Sequence, residues 1–142
     1  MFFSKFFKKK KPETSPAPVI ANLPALNAWG IFFQGNGMTL YNRNAATTRG
    51  ANDSAFMYLK SYPEVFELER KLYANWFTTT RTAIYLQQWD AATASWSLVC
   101  ITFLEPELKI IQSQLTTSNW VSGYENGQPV VFINGETALI LD

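Results

Sequence analysis

The chain has 142 residues, of which 47% are hydrophobic, 15% aromatic and only 16% charged, a composition that excludes intrinsic disorder and suits one ordinary domain with a sizeable core. Histidine is absent and Cys100 is the single cysteine, so an intramolecular disulfide is excluded, and the commonest general base and the commonest metal ligand are missing. The formal charge of +1 hides an asymmetry: Lys5, Lys8, Lys9, Lys10 and Lys11 hold five of the twelve basic residues, and residues 12–142 carry seven basic against eleven acidic side chains, a formal charge of −4.

Residues 1–11, MFFSKFFKKKK, form a basic aromatic arm. Wound as a helix, Phe2, Phe3, Phe6 and Phe7 share one arc and Lys5, Lys8 and Lys9 lie elsewhere, with Lys10 and Lys11 beyond; so short a helix is marginal in water and forms on contact. Such an arm can dock on a partner protein, on an anionic membrane surface where each lysine contributes about 1 kcal/mol, or on nucleic-acid phosphates, which rank third because phosphate binding needs no phenylalanines. Its lysines follow its phenylalanines, so it does not read as a signal peptide, and no apolar run approaches the roughly 20 residues of a membrane span; a cytosolic origin is expected. Residues 12–24 hold four prolines and read as an extended linker. One domain is expected over residues 25–142.

Residues 29–41 read as a hairpin turning at residues 34–37; Gly35 and Gly37 lack the spacing of a phosphate loop. Asp53 or Ser54 can cap a short helix through Phe56, Met57 and Leu59. Residues 61–77, SYPEVFELERKLYANWF, carry the strongest helix signal: Ser61 and Glu64 have capping-box spacing, Pro63 fits the first turn, and Glu64, Glu67 and Glu69 suit the dipole. Val65, Leu68, Leu72 and Trp76 would face the core, and Phe66, Tyr73 and Phe77 would form a neighbouring stripe, a candidate subunit interface. Residues 81–89 and 95–104 read as paired strands. Setting Trp89 opposite Trp96 places Ile84 opposite Ile101, Leu86 opposite Val99 and Tyr85 opposite Cys100, with both faces partly apolar. Residues 105–114 read as a second helix starting at Pro106, with Leu108, Ile111 and Leu115 on one face. In residues 120–141, Asn126-Gly127 and Asn134-Gly135 suit type I′ turns and predict a three-stranded meander in which residues 130–133 pair with residues 136–139. The expected class is therefore α+β, antiparallel hairpins and a meander packed on one long and one or two short helices.

Catalytic vocabulary is sparse. Without histidine, no Ser-His or Cys-His nucleophile is available, and no Ser-x-x-Lys occurs in the body. Glu64, Glu67 and Glu69, like Glu105 and Glu107, sit where helix starts want acids; Asp90 is a turn former. An enzyme would need a pocket gathering carboxylates such as Asp90, Glu125 and Glu136. No catalytic residue, metal or cofactor is expected.

The order of SYPEVFELERKLYANW, TAIYLQQW and SWSLVCITF, PELKIIQSQL and FINGETALIL, after a short basic aromatic start, resembles the N-terminal part of tailed-bacteriophage portal and connector proteins, touching residues 1–11 and about 61–142. The resemblance implies a bacteriophage virion structural protein: a minor capsid, connector or portal-like subunit, assembled in the host cytoplasm into a homo-oligomer or with other virion proteins. Phe2, Phe3, Phe6 and Phe7 would be apolar anchors, and Lys5 and Lys8 to Lys11 electrostatic contacts, on a neighbouring subunit, a membrane or the genome. The alternative is a cellular peripheral-membrane binding module targeted by the same arm.

Overall fold

The computed structural model describes residues 29–45 and 56–141. The arm and the linker lie outside them. Ten strands are described: β1 (Gly30–Gly35), β2 (Met38–Asn44), β3 (Met57–Tyr62), β4 (Leu72–Thr79), β5 (Ala83–Asp90), β6 (Ser95–Thr102), β7 (Leu108–Leu115), β8 (Trp120–Glu125), β9 (Gln128–Ile133) and β10 (Thr137–Ile140). Strands β1 to β7 follow one another across a seven-stranded antiparallel sheet, and β8 to β10 form a second, three-stranded one.

The β5–β6 hairpin is the centre. Its register runs from Ala83↔Thr102 to Asp90↔Ser95 and includes Trp89↔Trp96, Leu86↔Val99, Tyr85↔Cys100 and Ile84↔Ile101, the pairing expected from the sequence. Both faces are buried. On one, Ile84, Leu86, Val99 and Ile101 meet Met38 and Leu40 of β2, Met57 and Leu59 of β3, and Tyr73 of β4. On the other, Tyr85, Leu98 and Cys100 meet Trp120, Val131, Ile133 and Leu141 from the second sheet. Each fully buried aliphatic contributes about 1.5–3 kcal/mol relative to exposure.

Strands β2 and β3 can reach the face of β5–β6 because the large sheet folds over. A single pair, Met57↔Tyr73, joins β3 to β4, so β1–β3 lie across β4–β6 as a separate layer. A bulge between Ile31 and Phe33 lets Phe32 and Phe33 both turn inward, where each meets Phe77 edge-on at 5.2 and 5.5 Å, and Phe33 stacks on Phe103 at 6.0 Å. The result is a β-sandwich-like arrangement of layers with β5–β6 in the middle.

The α+β expectation is overturned. Residues 61–77 contain one 3-10 turn, Phe66–Leu68, and the strand β4. The capping signal is real but local: Ser61 Oγ accepts from the Val65 N–H at 3.0 Å and donates to the Pro63 carbonyl at 2.8 Å. The chain leaves the turn at Arg70, with φ +72, and enters a run of Tyr, Trp, Phe and Thr that favours strand over helix. Residues 105–114 are not a helix either, because β7 occupies Leu108–Leu115 and pairs with β6. Had they coiled, β6 would present a row of unpaired backbone groups beside the core. The expected short helix through Met57 and Leu59 is β3; Asp53 and Ser54 lie outside the described residues.

The glycine turns hold. Asn36-Gly37, Asn126-Gly127 and Asn134-Gly135 all have positive φ at both positions, as type I′ turns require. The last hairpin is offset by one from the expected pairing: Ile133 faces Thr137 and Val130 faces Ile140. Glu136 donates to the Ile133 carbonyl at 3.0 Å and stays in the turn. That register sets Leu139 opposite Val131, on the core side, where a one-residue slip would turn it away. The last strand pairs within the fold, and the Leu141 N–H donates to the Pro129 carbonyl at 2.9 Å.

Two measurements check this fold. Far-UV circular dichroism of the full chain should show a sheet spectrum with little helix; a helix-dominated spectrum would contradict it. Tyr73→Phe removes the acceptor of a buried hydrogen bond from Gln88 Nε2 to Tyr73 Oη at 2.9 Å, and urea unfolding should show a loss of about 1–3 kcal/mol.

Candidate functional site

The three residues of the expected helical stripe do not form one surface. Phe66 is 72% exposed on the 3-10 turn, Tyr73 is fully buried, and Phe77, at 40% exposure, is engaged by Phe32 and Phe33. On a strand, residues 73 and 77 share the inner face, so the helical grouping with Phe66 dissolves. Burial pushes the Tyr73 hydroxyl well above its ordinary pKa, opposed in part by the Gln88 hydrogen bond. Phe2, Phe3, Lys5, Phe6, Phe7 and Lys8 to Lys11 lie outside the described residues.

Carboxylates do not converge. Asp90 is exposed and accepts the Ala92 N–H at 3.0 Å, a turn contact. Glu125 and Glu136 flank opposite ends of β9, separated by about 17 Å of strand. Among the described residues no group of three or more metal-ligating side chains occurs, and no helix is long and apolar enough to cross a membrane. An open groove of about 570 Å³ runs past Arg81, Phe103, Leu104, Glu105, Glu107 and Lys109. Its two cations are matched by two carboxylates, so it has no charge preference.

Two other surfaces are more distinctive. The first is β7, an edge strand paired to β6 on one side, with no strand on its other side among the described residues. It is exposed on both faces, showing Ile110 at 61% and Ile111 at 39%, with Lys109 its one charge. Two bulges interrupt its pairing and confine the regular edge to a short run.

The second is the outer face of β1–β3. In the register Tyr41↔Lys60, Arg43↔Tyr58 and Thr39↔Tyr62, Tyr41 and Arg43 of β2 stand beside Tyr58, Lys60 and Tyr62 of β3, because alternate residues share a face. Their inward neighbours Leu40, Met57 and Leu59 fill the core. Trp29 sits under both cations: Lys60 Nζ lies 4.5 Å and the Arg43 guanidinium 4.9 Å from its ring centre, and Arg43 also covers Tyr58 at 5.5 Å. Residues 29–45 and 56–62 contain no aspartate or glutamate. The expected helices at residues 53–59 and 61–77 divided this pattern between two elements; the alternation Tyr41-x-Arg43 and Tyr58-x-Lys60-x-Tyr62 is the signal that would have revealed it.

No family model, no curated protein and no solved structure matches the chain. The element order on which the portal resemblance rests, helix, strands, helix, strand, is replaced by strands throughout apart from the 3-10 turn.

The buried tyrosine predicts an alkaline dependence. A folded-state pKa raised above the ordinary 10.0 means that the folded chain keeps a proton that the unfolded chain loses. The stabilisation is complete below pH 10 and declines as pH rises beyond it. Urea midpoints should therefore hold up to about pH 10 and fall between about pH 10 and pH 12, less steeply in Tyr73→Phe.

Proposed function

We propose that the chain is a non-enzymatic structural subunit of a virus or phage particle, whose β body joins neighbouring subunits through an open strand edge and whose N-terminal arm docks on an adjacent component. The observation that carries this reading is β7. An edge strand exposed on both faces, with Ile110 and Ile111 open to solvent, is a surface that monomers ordinarily cover or charge, and here eight residues carry one lysine. Main-chain pairing along such an edge gives affinity, and Ile110 and Ile111 on opposite faces give a partner strand something to select. The bulges suit this role, because a short regular run matches one partner edge instead of stacking without limit. Further apolar residues are exposed on the second sheet, Val121 at 57% and Ile140 at 59%, on its two edge strands.

Light scattering after size-exclusion chromatography of the full chain should give a discrete oligomer at micromolar concentration. Ile110→Lys combined with Ile111→Lys should shift it toward monomer with little change in Tm, since both side chains are exposed. A native chain that stays monomeric at that concentration would sink the proposal.

A further inference from the structure

We infer that the outer face of β1–β3 binds single-stranded nucleic acid, a role independent of the edge-pairing reading above. The face joins Trp29, Tyr41, Arg43, Tyr58, Lys60 and Tyr62 on adjacent strands. On β3 Tyr58 and Tyr62 stand either side of Lys60, each one two-residue step, about 7 Å, from it. Tyr62 is 72% exposed and Lys60 is exposed, while Tyr41, Arg43, Tyr58 and Trp29 are half-buried and held in place by the strands and by one another.

Charge selects the ligand. The face carries two cations and no carboxylate, on a body whose formal charge beyond the arm is −4, so positive potential is concentrated where the rings are. Within the body, a polyanion is drawn to that position in preference to the acidic remainder. The Arg43 guanidinium lies 4.9 Å from the Trp29 ring centre and 5.5 Å from that of Tyr58, which sets a cation able to pair with phosphate oxygens among the rings.

The rings select the form of the polyanion. Bases in a duplex are already stacked and offer no free face to a tyrosine, whereas unpaired bases stack on aromatic side chains without regard to sequence. A lipid surface would use Lys60 equally well but would need apolar side chains to insert. Ile31, 62% exposed and paired with Tyr41, is the one large aliphatic on this face. The face is therefore a stacking platform with flanking cations, suited to a few nucleotides of single strand.

Fluorescence anisotropy of a labelled oligothymidylate with the full chain tests this. The native protein should bind it more tightly than a duplex of the same length, with affinity falling as salt rises. Tyr62→Ala should weaken binding about tenfold, and Lys60→Gln should weaken it and flatten the log–log salt slope by about 0.7. Both positions are exposed, so Tm should hold. Lys109→Gln, on β7 and not on the ring face, should leave affinity unchanged, which separates the face from a general effect of charge. Because the arm is intact in every variant, equal affinity and slope for native, Tyr62→Ala and Lys60→Gln would assign any binding to the arm and overturn the inference. Preference for duplex, or binding to phosphatidylserine vesicles without binding to the oligonucleotide, would overturn it as well.

Discussion

The fold depends on the burial of β5–β6 on both faces. A hairpin carrying Ile84, Leu86, Val99 and Ile101 on one side and Tyr85, Leu98 and Cys100 on the other cannot remain half-solvated, so each face requires a cover and each edge a partner. The covers come from opposite ends of the chain: β1–β3 on one side and β8–β10 on the other. The edge partners come from the adjacent sequence, β4 and β7. Polar groups fix the covers in place. Gln88 reaches the Tyr73 hydroxyl, Gln87 donates to the Ser118 carbonyl at 3.0 Å, and Trp76 Nε1 donates to the Trp120 carbonyl at 3.1 Å. The glutamine bonds satisfy buried donors that would otherwise be costly; Gln87 ties β5 to the loop before β8, and Trp76 links β4 to the second sheet.

This constraint explains which parts of the structure were legible in the sequence. The β5–β6 register could be read because two tryptophans flank a short loop and setting them opposite each other pairs Leu86 with Val99, Tyr85 with Cys100 and Ile84 with Ile101. The Asn-Gly turns could be read because a backbone with two consecutive positive φ values accepts few other residues. Residues 61–77 were misread because capping, dipole and helical-period signals are local, whereas the need to pair with β5 is not. Pro63, Glu64 and Glu67 specify one turn of structure. Beyond Arg70, Tyr73 is required opposite Gln88 and Phe77 opposite Leu86, and those long-range pairings override periodicity. Leu108, Ile111 and Leu115 show the same ambiguity: a short amphipathic stretch fits either period until the edge of β6 demands a strand.

The candidate surfaces were less legible than the core for a related reason. The outer face of β1–β3 exists only because the sheet folds at Met57↔Tyr73, which turns one side of three strands inward and leaves the other to solvent. Tyr58, Lys60 and Tyr62 become a face because Leu59 and Met57 are committed to the core. The stripe of Phe66, Tyr73 and Phe77 fails by the same logic, since Tyr73 and Phe77 turn inward to meet β5 and β1. The candidate positions in this chain are those left over once both covers are satisfied.

The two surfaces also sit in different layers, which bears on how they would operate together. The β7 edge extends the middle layer beyond β6, whereas the cationic rings lie on the outside of the layer that covers β5–β6. Adding a strand beside β7 therefore leaves the rings uncovered. The covalent order adds a second relation: the described body begins at Trp29, the residue beneath Lys60 and Arg43, so the segment that leads back to the arm joins the body beside this face. In an oligomer formed through β7 the face would recur on every subunit, and weak contacts of a few nucleotides each would sum along one strand.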